Sequence, residues 1–142
     1  MFRKILVAFD TTASDVELLK HAAELASAHR SELMLLHVAE GWVARNFDHL
    51  NLAGPEEMRE DWKYIEDTAG RIRAETGLMV GTRLGLGSPT NQILAAAESE
   101  RLDLIAMASH GHCLLGDIIH GSTIDAVRHR ATVPIIVVPP RR

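Results

Sequence analysis

The chain has 142 residues, of which 46% are hydrophobic and 24% charged, and its 15 basic and 19 acidic side chains leave a net charge of −4. This length suits one domain spanning residues 1–142, and no apolar run approaches the roughly 18 residues needed to cross a bilayer. Lys and Arg are scattered rather than gathered into a basic stripe, which excludes nucleic acid and an anionic membrane as main partners.

"RKILVAF" (3–9) is a short apolar run ending at Asp10, which predicts a strand. The run is too short for a secretory signal, and the single Cys113 fits a reducing compartment, so a cytoplasmic protein is expected. A helix is predicted over 11–30, where Ser14 and Glu17 have capping-box spacing and Val16, Leu19, Ala23 and Ala26 mark one face. "ELMLLHVA" (32–39) is continuously apolar, the pattern of a parallel strand covered on both sides.

Residues 40–54 show no clean period and read as a long connection carrying Trp42 and Phe47. The second helix starts near Pro55, runs with Met58, Trp62, Ile65 and Ile72 along one side, and stops at Gly77. A weaker third strand follows at 78–87, a short helix with Pro89 in its first turn at 88–100, and a fourth strand at 102–109. Residues 117–130 are predicted mostly helical, and "VPIIVVPP" (133–140) is a fifth strand. This strict alternation of strand and helix predicts an α/β doubly wound domain with a parallel sheet. Ligands of such folds bind outside the carboxyl ends of strands, where the strand order reverses.

The segment 107–127, "MASHGHCLLGDIIHGSTIDAV", begins at such a strand end and admits three readings. It offers a phosphate cradle, since Gly111, Gly121, Ser122 and Thr123 bring small residues and hydroxyls near a helix start. It is not a Walker A loop, because Asp117 takes the place of the lysine. His110, His112, Cys113 and His120 raise a metal site, but they lack the separated ligand pairs of a structural zinc centre. The third reading is an ordinary strand-to-helix loop. Asp10, at the end of the first strand, points to ligand contact or to capping of the following turn.

The same segment resembles the nucleotide-binding signature of the universal stress protein family: glycine, two residues, glycine, nine residues, glycine, then serine or threonine. Here Gly111 is followed after nine residues by Gly121 and Ser122, while the first position is Ala108 in place of glycine. The resemblance extends through "KILVAFD", "LLHV" (35–38), "GSPTNQIL" (87–94), "DLIAMASHG" (103–111) and "VPIIVV". It implies a Rossmann-like five-stranded parallel sheet of order 3-2-1-4-5 with helices on both faces. It further implies that Asp10 and the backbone around Val38 hold adenine and ribose. Gly111, Gly121, Ser122 and Thr123 would then hold the phosphates of ATP, with Ala108 where the backbone passes close to ribose or phosphate and Mg²⁺ as an accompanying ion.

Residues 108–127 contain no Lys or Arg to stabilise a transferring phosphoryl group, so slow or incidental hydrolysis is the most catalysis expected. Two functional classes follow. One is an ATP-binding regulatory module of the stress response, acting on a protein partner the sequence leaves unidentified. The other, motivated by Ala108 and by the apolar last strand, is a nucleotide-independent interaction module that forms a homodimer through that strand. A metal- or redox-sensing loop at His110, His112 and Cys113 is a third.

Overall fold

The first apolar run forms β1, Lys4–Phe9, in the computed structural model, which describes residues 1–9, 15–39, 54–109 and 115–139. It is followed by α1 (Asp15–His29), β2 (Glu32–Ala39), α2 (Gly54–Thr76), β3 (Val80–Leu86), α3 (Pro89–Ser99), β4 (Leu104–Ala108), α4 (Leu115–Arg130) and β5 (Ile135–Val138). The five strands make one sheet of order β3-β2-β1-β4-β5. Every neighbouring pair in it is parallel. The expected α/β architecture, with its strand order, is therefore present.

Successive residues of a strand point to opposite faces, and both faces of this sheet are covered. Ile5, Val7, Leu33, Leu35 and Ala106 pack with Leu18, Ala22 and Ala26 of α1 and Ile65, Ala69 and Ile72 of α2. Leu6, Leu36, Ile105 and Met107 face the other way, onto Ile93 and Ala96 of α3 and Val127 of α4. Burying one large aliphatic side chain stabilises the fold by about 1.5–3 kcal/mol. This two-sided burial is why β2 reads as an unbroken apolar run.

The helix faces differ from the sequence expectation. α1 buries Asp15, Leu18, Leu19, Ala22 and Ala26, whereas Val16 is 66% exposed. Val16 lies about 160° around the helix from Leu18, outside the arc that meets the sheet. Among the described side chains of α2 the buried positions are Ile65, Thr68, Ala69 and Ile72, and Trp62 is 44% exposed. Trp62 lies about 60° around the helix from Ile65, at the margin of the arc that those residues bury.

At the opposite edge a single carboxylate ties strands together. Asp103 accepts from the backbone N–H groups of Arg3 (2.6 Å) and Lys4 (3.1 Å), and its own N–H donates to the Lys4 carbonyl at 2.9 Å. Charge-assisted bonds of this kind contribute about 1.5–3 kcal/mol. Gly77 ends α2 as expected, with φ of +74° and its N–H on the Arg73 carbonyl at 2.9 Å. Ser88 caps α3, accepting from the Asn91 N–H at 3.4 Å, with Pro89 following it.

Candidate functional site

The strand order reverses at β1. It pairs with β2 on one flank and β4 on the other, with Phe9 opposite His37 and Ala8 opposite Met107. The carboxyl ends of β1 and β4 consequently stand side by side, at the position where doubly wound sheets accept ligands. Val38 is half-buried next to the end of β2, opposite Gly85 of β3. Ala108 closes β4; its methyl group is 8% exposed and belongs to the same apolar cluster as Phe9. The next N–H, that of Ser109, donates to the Val138 carbonyl at 2.9 Å and is committed to the sheet.

Asp10, Gly111, His110, His112 and Cys113 lie outside the described residues, as does the loop 40–53. Gly121, Ser122 and Thr123 fall in the second and third turns of α4, which starts at Leu115, earlier than the sequence suggested. That puts their N–H groups past the four that a helix start leaves unpaired. Among the described residues there is no group of three or more His, Cys, Asp or Glu able to hold a metal ion, and no helix long and apolar enough to cross a membrane.

Beside the strand ends lies a polar cluster that sequence reasoning missed. His37, 9% exposed, sets Nδ1 3.0 Å from the Phe9 carbonyl oxygen and Nε2 3.4 Å from Asp61 Oδ2 of α2. The Phe9 ring lies 6.1 Å from that imidazole and 5.9 Å from the Tyr64 ring, centroid to centroid. Asp15, 1% exposed, opens α1, where the helix dipole favours a carboxylate. A histidine inside the apolar run "ELMLLHVA" is the sequence signal for this cluster. Nothing in the sequence marks Asp61 as its partner.

The model of the universal stress protein family matches residues 1–139. The chain belongs to the universal stress protein family. It is 29% identical to universal stress protein YxiE of Bacillus subtilis, over 97% of this chain and 99% of that protein. It is similar to universal stress protein MJ0577 of Methanocaldococcus jannaschii, whose structure superposes with a TM-score of 0.85 at 27% identity, covering 100% of this chain and 99% of that one. More distant members share the fold. One was solved in complex with cAMP (15% identity, TM-score 0.72, covering 99% and 98% of the two chains). Another, from Archaeoglobus fulgidus, was solved in complex with dAMP (20% identity, TM-score 0.69, covering 96% and 97%).

In this universal stress protein a groove of about 640 Å³ also runs between α1 and α2, lined by Val16, Leu19, Lys20, Tyr64, Arg71 and Ile72 among others. Of the predicted site residues whose side chains are described, Val38, Ala108 and Thr123, none lines it. At its edge the Tyr64 hydroxyl is pushed above its ordinary pKa of 10.0, first by burial and then by the Asp15 carboxylate, with Arg71 and the Thr68 hydroxyl opposing. Its neutral form is the one the fold favours. The stability it contributes is complete below the unfolded value and is lost as pH rises through the raised folded value. Tyr64 is the chain's one tyrosine, so an ultraviolet phenolate titration reads it alone. The native midpoint is expected above that of denatured protein, with Asp15→Asn moving it down. A native midpoint at or below the denatured one contradicts the assignment.

Proposed function

We propose that this chain binds an adenine nucleotide, ATP with Mg²⁺ in the fullest form, outside the carboxyl ends of β1 and β4. It then serves the stress response as a nucleotide-dependent regulatory module in the cytoplasm rather than as an efficient enzyme. The observation that carries the reading is the reversal of strand order at β1, which sets Phe9 and Ala108 at adjacent strand ends. The nucleotide complexes of relatives with the same fold support it. So does the burial of the Ala108 methyl group, which turns the departing position's Cβ into the core.

In this reading Asp10 and the Val38 backbone take the adenosine end. Ala108, Gly111, Gly121, Ser122 and Thr123 take the phosphates. Because α4 includes Gly121 to Thr123, contact through their N–H groups calls for the first turns of that helix to open. The absence of Lys and Arg from 108–127 leaves hydrolysis slow. Calorimetric titration of nucleotide-stripped protein is expected to give MgATP a dissociation constant on the order of micromolar. Gly121→Leu is expected to weaken it by about tenfold or more, equivalent to about 1.4 kcal/mol. Unchanged affinity in that variant sinks the assigned cradle.

A second reading, a nucleotide-independent homodimeric interaction module, is favoured by β5. It is an edge strand, and Ile136 and Val137 are 36% and 42% exposed on it, a combination that invites pairing with a second copy. Sedimentation velocity at micromolar concentration is expected to give a dimer that Val137→Glu dissociates. A wild-type monomer rules the strand-paired dimer out.

A further inference from the structure

The His37 side chain is unusual for its place. It sits in a buried parallel strand, yet both ring nitrogens are spent on polar partners from different elements. A carbonyl oxygen only accepts, so Nδ1 carries a proton toward Phe9 at 3.0 Å. Nε2 then meets a second acceptor, Asp61 Oδ2 at 3.4 Å. A ring protonated on both nitrogens satisfies both contacts and turns the second into an ion pair. Among the described residues the charged group in contact with the ring is Asp61 of α2, Tyr64 of α2 lies across the Phe9 ring from it, and its register partners, Phe9 on β1 and Leu84 on β3, carry no charge.

The ring acts at two sequence positions of consequence. The carbonyl it holds belongs to Phe9, the residue before Asp10, and its own backbone precedes Val38. We propose that His37 is a positioning residue for the adenosine end of the nucleotide. It fixes the end of β1 relative to the Val38 backbone, and Asp61 locks that setting to α2. The role rests on the nucleotide reading above and deepens it. Neither nitrogen is presented to a substrate, so His37 orients the walls of the site and transfers no proton.

An adenosine-end role and a phosphate-end role leave different signatures. Loss of positioning at the adenosine end weakens ATP, AMP and adenosine by one common factor, whereas damage to the phosphate end falls on ATP alone. The side-chain amide of asparagine places an N–H near the position of Nδ1 and restores the Phe9 bond.

The experiment is calorimetric titration of ATP, AMP and adenosine into wild-type protein, His37→Leu, His37→Asn and Asp61→Asn. Thermal melts confirm that each variant is folded. His37→Leu is expected to weaken all three ligands about tenfold, and His37→Asn to recover most of that. Asp61→Asn, which releases the ring from α2, is expected to weaken all three by one smaller common factor. A folded His37→Leu with unchanged affinities, or a loss confined to ATP, overturns the positioning role while leaving nucleotide binding intact. Should His37→Leu fail to fold, Asp61→Asn decides: unchanged affinities, or a loss confined to ATP, overturn the role. If wild-type protein binds none of the three ligands, the nucleotide reading itself falls and the role with it.

Discussion

β1 is hydrogen-bonded along both flanks, and the connections on its two sides carry the chain in opposite directions across the sheet. Strand-to-strand crossovers in parallel sheets are almost always right-handed. Those made leftward and rightward from β1 therefore place their helices on opposite faces, α1 and α2 on one and α3 and α4 on the other. Among the described residues, no connection covers the gap between the carboxyl ends of β1 and β4. The crevice is a by-product of handedness, and the residues near it inherit their function from where the topology leaves them.

The two edges of the sheet are held by different chemistry. At the amino edge Asp103 collects two backbone N–H groups and returns its own to Lys4, a closed arrangement with nothing left for a ligand. At the carboxyl edge β1 ends on a side chain instead, the His37 imidazole, which answers to Asp61 of α2. Between them the strand interior is wholly apolar, with Ile5, Leu6 and Val7 all at 0% exposure. Removing one such side chain to alanine costs about 2–5 kcal/mol, which makes the middle of β1 the rigid reference for both ends.

Much of this frame was legible in the sequence because it rests on local rules. Apolar runs marked the strands, β3 more weakly than the rest because glycines interrupt it, and Gly77, Ser88 and Pro89 marked helix ends through backbone conformation and capping. The helix faces were less legible. Val16 and Trp62 are apolar residues in helical spacing, and only the docked orientations of α1 and α2 show that they lie largely outside the core. The site was legible as a position rather than as a set of contacts. The gapped glycine pattern pointed to the end of β4, yet α4 begins at Leu115 and takes Gly121 to Thr123 into its second and third turns. The His37–Asp61 pair joins a strand to a helix that follows a long connection, and no local spacing rule reaches that far.

The central claim is that an adenine nucleotide occupies the crevice at the reversal of strand order. The most direct measurement is an amide chemical-shift titration of ¹⁵N-labelled protein with MgATP. The account predicts saturable shifts at Phe9, Val38, Ala108 and Ser109, on the carboxyl edge, with Lys20, Ala23 and Arg71 of the α1–α2 groove unmoved. Shifts confined to that groove, or none at saturating nucleotide, would contradict it.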